Sequence, residues 1–326
     1  MKIVYITDTH FRGGGPRSRT DDFVNTCYDK LNEVVNYCNE NKVDLLLHGG
    51  DFFDRPDISL AVLGEIVGIL KGCNCPIKGI AGNHDIYGHN PKTLPRTMLG
   101  LLDKLGIIKL IDENGVLYAA NGVKLQLTGK NYVHDYEQKE SYIAKKKLET
   151  DFSIHLVHGM LLPKKNIPID KMTLIETIGS TEADITLSGH YHQGFGSVEF
   201  GGKLFINPGA LLRVDNSYSE LNRKPQILQV TLTKNKEPKV EFIPLKTAKR
   251  GDLVLDRTKL EEKVIQQNKL DNFLTNITDI TSNQYITAEE IVTSIANNEN
   301  ISVDVKEKAL SIISNMQESF NKDEID

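Results

Sequence analysis

Residues 43–51, VDLLLHGGD, set a continuous apolar run directly against two glycines and an aspartate. Such a run reads as a buried strand whose last residues open a tight polar loop. The pattern is repeated on either side. KIVYITDTH (2–10) is an apolar strand ending in Asp8 and His10, and PIKGIAGNHD (76–85) is a short strand running into Gly82, Asn83, His84 and Asp85. Between them, Phe23, Val24, Cys27, Leu31, Val34, Val35 and Cys38 recur at three and four, which predicts an amphipathic helix over 21–42 opened by Thr20 or Asp21. A second helical pattern covers 59–71. Strand, helix, strand, helix, strand is the βαβαβ order of an α/β domain.

Further along, a helix is expected near 94–105, then strands at 116–119 and 123–128 flanking Asn121-Gly122, a hairpin signal. Strands follow at 152–158 and 184–188, a hairpin over 195–206 turns about Gly201-Gly202, and strands near 226–233 and 238–243 complete this part. From about residue 249 strand signals stop and three helical stretches appear, near 257–274, 287–297 and 303–320. The expected organisation is therefore a main domain over 1–248 and a C-terminal, mainly helical region over 249–326. In the tail, Leu260, Val264, Leu270, Phe273, Leu274 and Ile277, then Val305, Ala309, Ile312, Ile313 and Met316, form apolar stripes. Such stripes either pack on their own domain or offer a docking face.

The chain has 326 residues, 39% of them apolar and 25% charged, as in ordinary globular proteins with a sizeable core. No apolar run approaches the ~20 residues that span a bilayer, and the start MKIVYITDTH lacks the marks of a signal peptide, so a cytoplasmic protein without a membrane partner is expected. Cys27, Cys38, Cys73 and Cys75 show no familiar zinc spacing and are read as reduced, mostly buried thiols. The net charge of −5 lies almost wholly in residues 249–326, where 15 Asp and Glu face 9 Lys and Arg. That makes the tail a poor direct DNA ligand. The nearly neutral remainder would gain a positive cleft from any bound divalent cation.

Five polar clusters stand at strand ends: Asp8-Thr9-His10, Gly50-Asp51, Gly82-Asn83-His84-Asp85, His158-Gly159 and Gly189-His190-Tyr191-His192. Ligands of open α/β sheets bind beyond the carboxyl ends of strands, so these loops should converge on one site. Carboxylates, imidazoles and an amide oxygen make mixed donor sets suited to Mn²⁺, Zn²⁺ or Fe. Asp8, His10, Asp51, Asn83, His158, His190 and His192 are too many ligands for one ion. Asp51, at a central strand end, is the natural bridge between two ions about 3.5–4 Å apart. Any one of these residues taken alone would more often be a turn or cap residue; the set points to a metal centre. His48, His89, His134 and His155 lack such partners and are expected to be structural or exposed, His155 being on the opposite strand face from His158.

The motifs D-x-H, GD-x-x-D, GNHD, HG and GH-x-H, in this order over roughly residues 1–245, resemble the calcineurin-like metallophosphoesterases. That resemblance implies a sandwich of two β-sheets flanked by helices. It also implies one metal held by Asp8, His10, Asp51 and His192, a second held by Asp51, Asn83, His158 and His190, and His84 as proton donor or phosphate contact. The segments DTHFRGGGPRSRTDDF, LLHGGDFFDRPD, GIAGNHDIYGHN and LSGHYHQGFGSVEFGGKLFINPGALLR are similar to SbcD-like nuclease subunits, relatives of the meiotic-recombination nuclease. This implies DNA as substrate, Mn²⁺ as preferred ion, an SMC-like ATPase partner of the SbcC type that could dock on the tail stripes, and a homodimer formed through the 94–105 helix or the tail. Where some of these nucleases carry histidine, this chain has Asp54.

In the mechanism that follows, two cations activate water for in-line attack on phosphorus. His84, as imidazolium, protonates the departing sugar oxygen, imidazoles being able to titrate near neutral pH. Asp54 or Asp85 holds that imidazole or a ligand histidine. Arg12, Arg17 and Arg19, in the loop beyond His10, either grip a phosphate backbone or belong to a solvated surface loop, and Arg213 is a further candidate phosphate contact. The expected activity is DNA exonuclease and endonuclease cleavage in DNA-end processing. Alternatives are a phosphatase or cyclic-nucleotide phosphodiesterase using the same chemistry, and a scaffold without metals, against which the intact ligand set speaks.

Overall fold

The computed structural model describes residues 1–132, 139–146, 149–165, 171–258, 261–262, 265–266, 269 and 288–323. They fall into two compact units, Met1–Asp256 and Arg257–Asp326. The first unit opens with β1 (Lys2–Ile6), α1 (Phe23–Glu40), β2 (Leu45–His48), α2 (Leu60–Lys71), β3 (Ile77–Gly79), α3 (Met98–Lys104) and β4 (Lys109–Leu110). It continues with β5 (Val116–Ala120), β6 (Val123–Lys130), β7 (Phe152–Gly159), β8 (Leu161–Leu162), β9 (Thr173–Leu174) and β10 (Ile185–His190). The hairpin β11 (Gly196–Phe200) and β12 (Lys203–Asn207), a short helix α4 (Tyr218–Asn222), β13 (Gln226–Thr231) and β14 (Lys239–Pro244) complete it.

Two six-stranded sheets result, ordered β14-β13-β1-β2-β3-β4 and β11-β12-β10-β7-β6-β5, and β8 pairs with β9 apart from them. The βαβαβ segment makes the parallel centre of the first sheet, Ile3 opposite Leu45 and Leu46 opposite Ile77. The second sheet has its own parallel centre, with Ile185 opposite Ile154 on one side and Leu204 on the other. The fold is the expected two-sheet sandwich flanked by helices.

Alternation along each strand explains why the layers stack. Ile3, Tyr5, Leu45, Leu47, Leu125, Leu127, Ile154, Leu156, Ile185 and Leu187 fill the space between the sheets. The intervening Val4, Ile6 and Leu46 face the other way and pack with Phe23, Cys27, Leu31 and Val34 of α1 and with Leu63 and Ile66 of α2. A one-residue slip would exchange these faces, so the register is strongly specified. It also decides which side chains reach the strand ends facing the inter-sheet cleft.

Several details depart from the sequence reading. The cap of α1 is Asp22, whose carboxylate accepts the Asn25 N–H at 3.1 Å; Thr20 and Asp21 are not the cap, and Asp21 instead pairs with Arg19. The helix expected at 94–105 is shorter, because Pro91 and Pro95 hold the preceding turns in a 3₁₀ form before Thr97 caps α3. Asn121 and Gly122, at φ 50° and 75°, make the expected tight hairpin between β5 and β6.

In the second unit, helices Ala288–Asn298 and Val303–Asp323 pack against each other. The helix expected over 257–274 lies largely outside the described residues, as do Leu260, Val264, Leu270, Phe273, Leu274, Ile277 and His134. Among the described residues no helix is long and apolar enough to cross a membrane.

Candidate metal centre

Five loops meet where the parallel strands of both sheets end. From the first sheet, β1 leads into Asp8 and His10, β2 into Asp51, and β3 into Asn83 and His84; from the second, β7 ends with His158 and β10 with His190. The first two loops are fastened edge to edge: Asp8 N–H donates to Gly50 O at 3.1 Å, His10 N–H to Asp51 O at 3.0 Å and Phe11 N–H to Phe52 O at 3.0 Å. Asp8, His10, Asp51 and His190 all have positive φ, at 52°, 42°, 52° and 71°. Side chains other than glycine rarely adopt that region, and such backbone persists where surrounding structure over-determines it, as at functional sites. Gly50, at φ 96°, lies under the His158 ring, where a Cβ would come within 2.6 Å of Nδ1.

The donor atoms form two neighbouring groups. Asp8, His10 and His192 present ligand atoms within 4.8 Å of one another, as do Asp51, His158 and His190, and His10, Asp51 and His84 form an overlapping trio. In the first group His10 Nε2 stands 3.0 Å from His192 Nε2, and His192 Nε2 is 3.6 Å from Asp8 Oδ1. Asp51 lies between the groups, Oδ2 being 3.1 Å from His158 Nε2 and 3.7 Å from His10 Nε2. The Asp8, His10, Asp51 and His158 side chains are buried, whereas His190 and His192 are half-buried and His84 is exposed. One side of the cluster therefore meets solvent.

A cation fits this donor set. Asn83 Oδ1 is a buried atom without a hydrogen-bond partner among the described residues, a costly state unless something else satisfies it, and His158 Nε2 is buried with only the Asp51 carboxylate, 3.1 Å away, beside it. His158 Nδ1–H is directed at Gly49 O, 2.8 Å away, which leaves Nε2 on the Asp51 side as the nitrogen that a cation would take in place of its proton. Burial drives His10 well below the usual imidazole range and, helped by the neighbouring His158, takes His190 down to about 3, so both rings are neutral ligands. Burial also acts against charge on His158, but the Asp51 carboxylate overcomes it and pushes that imidazole up to about 9. Burial alone would raise Asp51; His158 holds it well below the carboxylate range instead. Asp8 is raised, chiefly by burial. A positive charge shared by these groups is what the arrangement rewards.

Residues without an obvious sequence role hold the ligands. Among the described residues both Asp85 oxygens go to backbone amides and not to an imidazole. Its buried carboxylate accepts the N–H groups of Phe53 (2.9 Å), Gly82 (2.9 Å) and Phe52 (3.2 Å), tying the loop after β3 to the loop after β2. Burial, with the Asp51 charge second, pushes its carboxyl up to about 7. Asp51 Oδ1 in turn accepts the His84 N–H at 2.8 Å. Thr7 donates its hydroxyl to Asp8 at 2.7 Å, and the His190 N–H reaches both Asp8 oxygens at 3.1 Å. Asn207 donates to Tyr191 O while Ala210 N–H donates to His192 O, so the Asn207–Ala210 turn braces the last ligand loop. The NPGA turn was visible in sequence; its bracing role required the fold. His48 and His155 are buried and bonded to Thr9 and Thr128, as structural histidines would be.

His84 reaches the open side, its Nδ1 2.8 Å from the Asp54 carbonyl oxygen, so Nε2 points away from that anchor. The ring stands edge-on to His10, centroids 4.8 Å apart. The Asp54 carboxylate is 3.9 Å from His10 Nδ1 and takes Arg12 Nη1 at 3.0 Å, which brings Arg12 to the rim. Arg17 is exposed. Arg19 and Arg213 are not brought to the site. Arg19 is clamped on Asp21 and lies over the Phe23 ring, and Arg213, 3% exposed, donates to the carbonyls of Lys249 and Arg223. Their guanidiniums satisfy backbone and a carboxylate, not a solvent-facing ligand.

Comparison with known proteins adds the following. Residues 1–194 match the calcineurin-like phosphoesterase family. The chain is 24% identical over 314 residues to the double-strand break repair protein MRE11 of Encephalitozoon cuniculi, covering 86% of this chain and 53% of that one. It is 25% identical over 198 residues to the DNA double-strand break repair protein Mre11 of Methanosarcina acetivorans, covering 59% of this chain and 31% of the relative. The chain thus spans about half, or less, of the length of these curated relatives. Among solved structures, a dimetal phosphatase from Danio rerio aligns with a TM-score of 0.48 and 12% identity, over 75% of this chain and 96% of that one.

Proposed function

The chain belongs to the calcineurin-like phosphoesterase family, and from that premise we propose that it is a two-metal-dependent DNA nuclease, cleaving phosphodiester bonds by exonuclease and endonuclease action during DNA-end processing. The observation that carries the reading is the pair of donor groups sharing Asp51 between them, open on the His84 side. Asp8, His10, Asp51 and His192 would hold one cation, and Asp51, Asn83, His158 and His190 the other. Mn²⁺ suits this mixture of imidazole, amide and carboxylate donors. Divalent cations supply charge neutralisation of phosphoryl oxygens and acidification of water.

The protein's own groups do the rest. His158, fixed through Nδ1 by Gly49 O, keeps Nε2 for the site, and Asp85 keeps the Asp51 and Asn83 loops in register. His84 is the proton donor to the leaving sugar oxygen. Its Nδ1–H bond to the Asp54 carbonyl aims Nε2 at the cleft. Asp54 acts through that carbonyl and, by its carboxylate, through Arg12, which contacts a phosphate of the bound strand together with Arg17.

DNA as substrate, in place of a small phosphomonoester or cyclic nucleotide, is favoured by the similarity to double-strand break repair proteins along most of this chain. It agrees with the groove of about 340 Å³ beside His84, open along the surface and lined by Asp54, Arg55, Asn83, His84, Tyr87 and His89. The nuclease domain is residues 1–248, and residues 249–326 form a region that docks an SMC-like ATPase of the SbcC type. Val303, Val305 and Ile312, exposed on one tail helix, are apolar side chains available to such a partner. Leu101 on α3 and Leu105 at its C-terminal cap are similarly exposed and offer a homodimer face. A cytoplasmic location accords with these roles.

The test is digestion of end-labelled duplex and single-stranded DNA in Mn²⁺, Mg²⁺ or EDTA, beside bis-p-nitrophenyl phosphate, by wild type and His84→Ala. Mn²⁺-dependent DNA loss that the variant lacks is the expected result. Hydrolysis of the small diester with DNA left intact, in the presence of an SbcC-type ATPase, would overturn the nuclease reading.

A further inference from the structure

Far from the site just described, three of the four cysteines come together. Cys38 lies in the last turn of α1, Cys73 and Cys75 in the turn between α2 and β3, and their sulfurs are within 4.8 Å of one another. Cys73 Sγ and Cys75 Sγ are 3.5 Å apart, and all three thiols are free. Cys38 and Cys75 are buried and Cys73 is half-buried, so the group is closed on the protein side and accessible on the other. A disulfide would need the sulfurs near 2.05 Å, whereas thiolates around one tetrahedral Zn²⁺, each about 2.3 Å from it, stand about 3.8 Å apart. The spacing here is close to the second arrangement.

We propose that Cys38, Cys73 and Cys75 form a separate metal site that takes one thiophilic cation of the Zn²⁺ class through three sulfurs, with solvent on the Cys73 side as the fourth ligand. The turn is already held in place for it. Asn39, beside Cys38, donates through Nδ2 to Gly72 O at 2.8 Å and accepts the Asn74 N–H through Oδ1 at 2.8 Å, so both flanks of Cys73 are fastened to α1. Both helices end here, α1 at Glu40 and α2 at Lys71, and the carbonyl ends of helices favour a cation. The Cys73 and Cys75 sulfurs already stand at 3.5 Å, with Cys38 beside them, so little rearrangement separates the three thiols from a common ligand geometry. Binding a divalent ion forms three metal–sulfur bonds and releases the thiol protons to solvent.

The site is structural, not catalytic. It lies at the N-terminal end of β3, while Asn83 and His84 follow the C-terminal end of that strand. A cation there would clasp the end of α1, which feeds β2 and Asp51, to the turn that feeds β3 and Asn83. Sequence spacing conceals it because a Cys-x-Cys pair meets its third ligand 35 residues away only through the packing of α1 beside α2.

The experiment is a Cd²⁺ titration of the reduced, EDTA-stripped full chain, followed by ultraviolet absorption. Thiolate-to-cadmium charge transfer reports the cysteines alone, since the Asp, Asn and His donors of the other site give no such band. The expected result is a band saturating at one equivalent of thiolate-bound metal, displaced by Zn²⁺, together with loss of Cys73 reactivity toward a thiol reagent. Cys73→Ser, at a half-buried position, should abolish the band while Cys27→Ser leaves it unchanged. Absence of a band in the reduced wild type, or a band that survives Cys73→Ser, overturns the proposal. So does a disulfide linking Cys38 to Cys73 or Cys75 in freshly purified protein. The wild-type titration decides even should a variant fold poorly.

Discussion

Replacing Asp85 by asparagine keeps the shape of the side chain and changes its hydrogen-bonding capacity. One carboxylate oxygen accepts Phe53 N–H, and the other accepts Phe52 and Gly82 N–H. An asparagine has only one acceptor oxygen there, and its best orientation keeps the two bonds of Oδ2 while turning an NH₂ group toward the Phe53 donor. Leaving a buried amide unsatisfied costs about 1–3 kcal/mol. At roughly 2–4 °C of Tm per kcal/mol for a domain of this size, Asp85→Asn should melt roughly 4–8 °C below wild type for a loss near 2 kcal/mol. Asp85→Ala, which strands three donors, should fall further. Melting belongs in EDTA, because bound metal would add its own stabilisation. Isothermal titration with Mn²⁺ is then expected to show affinity down by about 10–100-fold, as for removal of a group that orients metal ligands. An Asp85→Asn protein with wild-type melting and wild-type Mn²⁺ affinity would refute the claim that this carboxylate assembles the Asp51 and Asn83 loops.

Other expectations follow from the same geometry. His84→Ala should lower the cleavage rate by about 10²–10⁴-fold, the range of general acid catalysis, and should leave the metal content measured by mass spectrometry unchanged; loss of metal would make His84 a ligand instead. In the stripped protein the Asp51 carboxylate raises His158 from the ordinary imidazole value of 6.5 to about 9, so its contribution to stability is complete below 6.5 and is lost as pH rises through 9. Mn²⁺ must displace that proton, so metal affinity should rise over the same interval, and melting and titration curves that slope in the same direction would contradict this coupling. Arg12→Ala should weaken DNA binding evenly across sequences and reduce the salt slope by about 1. Arg213→Ala should lower thermal stability, because that side chain closes backbone carbonyls in the interior.

Local patterns carried most of the architecture. The apolar runs of 2–6, 45–48 and 152–157 are short and bounded by polar or turn residues, as strands are, the stripe of α1 repeats at three and four, and the structure keeps them within a few residues. The candidate ligands were legible for the same reason: each stands next to a strand whose identity was plain, and strand ends of parallel sheets converge. What was hidden depends on distant partners. Arg19 and Arg213 look like surface cations until Asp21 and the carbonyls of Arg223 and Lys249 are brought to them. Asp85 looks like part of a ligand motif, but the fold turns it toward three amides. The two-residue strand β4 and the short helix α4 are too brief to carry a period at all. Cys38 meets Cys73 and Cys75 only after α1 and α2 pack.

The most direct test of the account measures bound Mn²⁺ and DNA cleavage together, in wild type and Asp51→Asn, as stripped protein is titrated with Mn²⁺. The account predicts cleavage that is absent in EDTA, rises as a second ion fills the Asp, Asn and His cluster, and is lost in Asp51→Asn along with both ions. Full cleavage in EDTA, at a single bound ion, or by Asp51→Asn would contradict it.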